Sequence, residues 1–146
     1  MKRLLFAALT LMTAASVFAQ PVSPLGLWKN IDDESGKPKA LIRISEVNGE
    51  LSGKIEKLFL TPTEDQNPKC TKCDGALKDQ PVLGMIILTG LKRDGDEYKG
   101  GKILDPNNGK VYSSRLEIIA DGKKLQVRGY IGIPMLGRTQ TWLREE

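Results

Sequence analysis

The stretch 41-LIRISEVNGELSGKIEKL-58 decides the fold. Ile42 and Ile44 alternate with polar neighbours up to Asn48-Gly49, and Leu51 and Ile55 resume the alternation beyond it. An Asn-Gly pair supplies the positive φ angles of a tight two-residue turn, so the stretch reads as a β-hairpin. Leu51 and Ile55 share a row with Lys57, which moves the apolar side near Leu58 and points to a bulge there.

The same grammar recurs outward from this hairpin. Asp94-Gly95, Asn108-Gly109 and Asp121-Gly122 each separate strand-like runs, and "DDESGKP" (32–38) joins the first run to the second. The turns divide the chain into eight strands, at about 25–31, 39–47, 50–60, 84–92, 97–104, 110–119, 124–132 and 138–144. Ala40, Ile42 and Ile44 alternate on the second, Tyr112, Ser114, Leu116 and Ile118 on the sixth, Leu125, Val127, Gly129 and Ile131 on the seventh. The fourth, "GMIILTGL" (84–91), is apolar on both faces and is expected to be covered by another segment. A buried helix competes there, against Gly84 and Gly90.

Eight strands joined in order by short turns form an antiparallel meander. Closing it into an up-and-down barrel removes its exposed edges. The expected fold is therefore all-β, an eight-stranded antiparallel barrel, with a two-sheet sandwich as the competing architecture. Up-and-down order sorts the connections by parity. "DDESGKP", the long segment 61–83, "DPNNG" (105–109) and "IPMLG" (133–137) share one end, and tight turns close the other. The first strand leaves the tight end and the eighth returns to it, which brings Trp28 toward Trp142 and Arg144 as a structural plug, the guanidinium stacked on an indole.

Residues 1–19, "MKRLLFAALTLMTAASVFA", carry Lys2 and Arg3, an apolar run, then small residues before Gln20. That is the pattern of a secretory signal peptide cleaved after Ala19, and it leaves residues 20–146 as a single β-barrel domain in the periplasm or outside the cell. The run is too short and too broken by Thr10, Thr13 and Ser16 for a membrane anchor, and no later segment is apolar enough to span. Of 22 basic residues, Lys2 and Arg3 leave with the signal, so 20 face 18 acidic ones and the formal charge falls from +4 to +2. Mixed charge of this kind is an ordinary solvated surface without a nucleic-acid footprint.

Cys70 and Cys73 in "NPKCTKCDGALKDQP" (67–81) are the only cysteines. After export they are expected to form a disulfide that tightens one turn of the long loop. Two other readings stand beside it. A thiol redox centre usually places its first cysteine at a helix start in a βαβ setting, which is missing here, although Lys69, Lys72 and Lys78 would favour a thiolate. A zinc site needs about four ligands, and the chain offers two thiols and no histidine, so no metal is expected. The lack of histidine also removes Ser-His-Asp and Cys-His nucleophile systems. Asp32-Asp33, Glu64-Asp65 and Asp94/Asp96 read as solvated turn residues, and no glycine loop precedes a helix as a phosphate cradle would require. No catalytic constellation or cofactor is expected.

"GLW" (26–28) with an arginine late in the last strand resembles the lipocalin and wider calycin pattern, in which a tryptophan packs under an arginine at the closed end. The ordered set "GLWKNIDDESGKPKALIRI", "CTKCDGALKDQPVLGMIIL", "GGKILDPNNGKVY" and "VRGYIGIPMLGRTQTW" resembles the exported bacterial family known as domain of unknown function 2147. The resemblance covers nearly all of residues 20–146 and implies a calycin-like barrel and export. It brings no activity, substrate or catalytic residue.

Three functions follow as expectations. The first is a binding module holding a small apolar or amphipathic molecule, entering at the end that carries 61–83 and 133–137. The second is an interaction protein with a filled barrel that uses the apolar rim Ile133, Pro134, Met135 and Leu136 toward a protein partner, the competing role of Met135 and Leu136 being an inward lid. The third is thiol redox work through Cys70 and Cys73. Arg128 and Tyr130 share one face of the seventh strand, where they decorate the outside or bind something there.

Overall fold

Eight strands, β1 (Gly26–Ile31), β2 (Pro38–Val47), β3 (Glu50–Leu58), β4 (Ile86–Asp94), β5 (Glu97–Asp105), β6 (Lys110–Ile119), β7 (Lys124–Tyr130) and β8 (Gly137–Arg144), follow one another in the computed structural model. Each pairs antiparallel with the next, and β8 returns to β1 through Trp28↔Arg144 and Lys29↔Leu143, so the barrel is closed. The structure describes residues 22–146; the signal peptide expected over 1–19 lies outside the described residues. Among the described residues no helix is long and apolar enough to cross a membrane.

The turns position the two ends. Asn48 and Gly49 both take positive φ (55° and 77°), as the hairpin requires. In the β4–β5 turn, Asp94 instead pairs with Glu97, so Gly95-Asp96 form the bend. The side switch on β3 falls at Glu56: Ile55 faces Ile42 and Lys57 faces Leu41, so Glu56 is the extra residue and Leu58 turns inward beside Ala40.

The expectation that another segment covers β4 is corrected. Two register shifts against β3 place one extra residue near Ile87 and another near Gly90, whose φ is +71°. These bulges re-aim the side chains, so Ile87, Leu88 and Leu91 are all buried on one side. Only Ile86 of the apolar run stays out, 51 % exposed and uncovered. β4 also starts two residues later than its composition suggests, because Gly84 and Met85 belong to the turn, with Gly84 at φ +87°.

The core is layered along the barrel axis. In the half toward the tight turns, Trp28, Ile44, Leu51, Leu91, Leu116 and Leu125 are wholly buried and fill the interior. Gly101 makes room for them; a Cβ there would lie 2.4 Å from Leu91 Cγ. Closing this half lets a chain of modest length bury large side chains at native density.

Candidate functional site

The other half opens to solvent at its mouth. A cavity of ≈ 880 Å³, its mouth included, opens between the long connections. Ala40, Ile42, Ile55, Val127 and the Trp142 indole border it but are closely packed, 5 % exposed or less, and Leu58 and Ile103 are partly exposed beside them. None of the six large side chains packed below reaches it. The volume lies in the range that holds a drug-sized ligand.

Arg144 covers Trp28, its guanidinium carbon 4.1 Å from the ring centroid. Its nitrogens donate to the carbonyls of Gly122 (2.5 Å), Leu25 (2.9 Å), Ser23 (2.6 Å) and Glu146 (3.2 Å), tying the β6–β7 turn to both ends of the described chain. The Trp28 indole N–H donates to Pro24 O at 2.8 Å. Burial pushes the Arg144 pKa down from its ordinary value, yet the guanidinium stays charged at neutral pH. Trp142 occupies a different place: two residues before Arg144 on the same face of β8, one layer nearer the mouth, with its N–H donated to Gln140. The closed-end cover is therefore Arg144 on Trp28, and Trp142 belongs to the cavity.

Polar side chains line the upper wall. Asn30 Nδ2 donates to Gln140 Oε1 (2.8 Å), Trp142 Nε1 donates to the same oxygen (3.1 Å), and Gln140 Nε2 donates to Asp33 Oδ1 (3.2 Å). Arg138 grips Asp33 through two nitrogens at 2.6 and 3.0 Å. Hydrogen bonds from Arg138 first, then Gln140, hold the Asp33 carboxyl below the usual aspartate range against the opposing effect of burial. From the β5–β6 turn, Asn108 Nδ2 donates to the hydroxyl of Tyr112 on β6 at 3.0 Å. The carboxylates at the rim serve turns: Asp32 accepts from Ser35, Glu64 from Thr61, Asp105 from Asn107. Below this layer the Ser114 hydroxyl is buried and finds no partner among the described residues.

Asn30, Gln140, Tyr112 and Asp33 were not singled out as site residues in the sequence. A signal existed: Asn30 lies two residues after Trp28 and Gln140 two before Trp142, so strand parity puts both amides on the inner face. Asp33, read as a solvated turn residue, instead anchors Gln140.

The rim residues are accounted for as follows. Met135 is 84 % exposed, Leu136 66 %, and Ile133 is also out in solvent, so Met135 and Leu136 do not fold in as a lid. Leu136 and Ile131 border the mouth. Arg128, placed outside the barrel by the pattern, donates to Pro134 O (2.6 Å) and Thr139 Oγ1 (2.8 Å) and so holds the 131–136 loop in shape. Cys70 and Cys73 form a disulfide with both residues buried. The loop carrying it packs on the β5–β6 turn, where a Cβ on Gly109 would come 1.9 Å from the Lys72 carbonyl oxygen. Among the described residues there is no group of three or more His, Cys, Asp or Glu that could hold a metal ion.

Residues 26–144 match the family described as "Uncharacterized protein conserved in bacteria (DUF2147)". The chain belongs to this family. Among solved structures, a DUF2147-type barrel of this shape is similar to protein HP1028 of the human pathogen Helicobacter pylori, described as belonging to the lipocalin family. The TM-score is 0.73 at 21 % identity, over 86 % of this chain and 85 % of that one, so the likeness is one of fold: this DUF2147 member is a lipocalin-like barrel. No curated protein matches the chain.

Proposed function

We propose that this chain is an exported binding module, working in the periplasm or outside the cell, that holds a small apolar or amphipathic molecule in the open half of its barrel. The observation that carries the reading is the cavity of ≈ 880 Å³, mouth included, in which Leu58 and Ile103 are partly exposed beneath a polar upper rim, open at the end that bears 61–83 and 131–136. A barrel evolved only as a scaffold gains stability by filling such space, since empty volume forfeits packing contacts. The lipocalin-like fold supports a binder over an enzyme, and the chain contains no histidine.

Native mass spectrometry of the protein purified from a periplasmic extract tests it. We expect a retained or readily loaded apolar molecule, lost in Ala40→Phe, which puts a ring into the cavity wall. Circular dichroism shows whether that variant is folded. A folded wild-type protein that neither retains nor takes up any apolar probe overturns the reading.

A second reading rests on the exposure of Ile131, Ile133, Met135 and Leu136 side by side at the mouth. Such a patch is a contact surface for a partner. Met135→Asp would then abolish periplasmic crosslinks while leaving probe uptake unchanged; unchanged crosslinks refute it.

A further inference from the structure

The barrel wall is not closed in the same way all round. β1 and β8 pair at Trp28↔Arg144 and Lys29↔Leu143, and beyond these, toward the mouth, no backbone pair joins them among the described residues. Both strands run on: β1 stays on β2 as far as Ile31↔Pro38, and β8 stays on β7 as far as Tyr130↔Gly137. The other boundaries keep their ladders into the mouth half, through Ala40↔Leu58, Leu88↔Ile103, Asp105↔Lys110 and Ser113↔Tyr130, while the Gly84 N–H extends β3–β4 by donating to Ile55 O at 2.8 Å.

Side chains bridge the upper β1–β8 boundary instead. Asn30 donates to Gln140, Gln140 donates to Asp33, and Arg138 grips Asp33 with two nitrogens and approaches Glu34 at 3.3 Å. Arg138 and Asp33 lie in contact with water, where such pairs hold strands together weakly. Nothing apolar reinforces them: from Asn30 to Pro38 no residue is buried, and all of 33–38 are exposed. A segment with few buried apolar contacts is drawn from the low-stability end of a fold. It is nevertheless stiff within itself, since Gly36 N–H donates to Asp32 O (2.8 Å) and Asp32 N–H to Lys37 O (2.9 Å). Its two roots are firm: Lys29 pairs on both sides, and Lys39 O accepts from Phe59 N–H at 2.9 Å. The register shift between Asn30 and Ile31 puts an irregular joint just above the first root.

Behind this boundary lies Trp142, 1 % exposed, with its N–H on Gln140. Ala40, Ile42 and Val127 beside it are packed as well. A molecule at the mouth of the cup that the open half forms meets Leu58 and Ile103, and it reaches the indole only when the wall parts.

We propose that residues 30–38 form a flap, latched to β8 by Asn30, Asp33, Gln140 and Arg138, whose lifting admits an apolar molecule through the wall to the Trp142 side of the cup. This rests on the binding-module reading and adds the route and the gate. Asp33 is the centre of the latch, because it receives both Arg138 and Gln140. With the latch broken, 30–38 lifts as one piece on its two roots while the rest of the wall keeps its ladder.

Two measurements on the whole folded protein test it, in wild type, Arg138→Gln, Asp33→Asn and, as a control on the β5–β6 side of the mouth, Lys110→Gln. The first needs no ligand: hydrogen exchange of the two indole N–H groups. Either latch variant should speed exchange at Trp142 about fivefold and leave Trp28 unchanged, the effect of losing one exposed ion pair on a local opening. The second is stopped-flow fluorescence with the neutral probe N-phenyl-1-naphthylamine. Association and dissociation should both quicken about fivefold in the latch variants, with affinity held within about threefold, because a gate changes the rate of passage more than the bound state. Lys110→Gln should match wild type in both. Probe rates that stay at the wild-type value in both latch variants, with or without faster Trp142 exchange, overturn the gate and leave the binding module standing. Equal acceleration of Trp28 and Trp142 exchange overturns it too, since that reports global loosening. If no probe binds the folded wild-type protein, both readings fall.

Discussion

Truncating Arg144 to alanine removes the cover of the closed end without touching the cup. Trp28 is wholly buried beneath the guanidinium, so the cation–π contact is largely desolvated and contributes about 1–2 kcal/mol. The charge-assisted hydrogen bond to the partly buried Gly122 carbonyl adds ~2 kcal/mol. The carbonyls of Ser23, Leu25 and Glu146 are within reach of water and recover most of their loss by solvation. The net destabilisation is about 3–4 kcal/mol, and for a domain of this length that lowers Tm by roughly 12–15 °C. Arg144→Lys keeps a charge but loses the planar fan of donors, and should recover less than about half of that. Urea titration followed by near-ultraviolet circular dichroism measures both, and probe affinity measured alongside should stay within about twofold, since the cup is a separate layer. A loss below about 1 kcal/mol in Arg144→Ala, or a collapse of probe binding in a variant that remains folded, refutes the division into a packed base and an open top.

Three more perturbations probe particular layers. Ser114→Ala deletes a buried hydroxyl that lacks a partner and should raise stability by about 1 kcal/mol in the same titration; a loss instead reveals an ordered water bonded there. The Cys70–Cys73 ring of four residues should contribute about 2 kcal/mol, less than longer rings do, and because both cysteines are buried, dithiothreitol should reduce it slowly in buffer and fast in denaturant. Immediate reduction of the native protein would revive a redox role. The Asp33 pKa is depressed by Arg138, so its contribution is complete above the ordinary aspartate value and is lost as pH falls through the lower folded one. Probe affinity should therefore be flat from about pH 8 to 5 and decline below about pH 4, with the Trp142 indole resonance moving in step; Asp33→Asn should abolish that coupled movement.

The closed meander was legible because each hairpin is written locally: Asn48-Gly49 can form few other structures, and parity then sorts the loops between two ends. β4 was less legible because its bulges at Ile87 and Gly90 break the period of two on which face assignment depends. The position of Arg144 over Trp28 could be read from where the first and last strands meet. That Trp142 lies one layer higher could not, because depth along the axis depends on the register of β1 on β8. The cavity itself depends on summed side-chain volumes across all eight strands, which no local pattern records. Asp33 looked like a turn residue because its partner, Arg138, is 105 positions away and reaches it only after closure.

The two tryptophans make the central claim directly measurable. Trp142 borders the cup, with its N–H on Gln140, and Trp28 sits at the packed end, with its N–H on Pro24. In a 15N–1H spectrum of the folded protein titrated with N-phenyl-1-naphthylamine, the account predicts that the Trp142 indole resonance shifts in a saturable way while that of Trp28 stays still. Two unmoved indole signals, or a shift confined to Trp28, would contradict it.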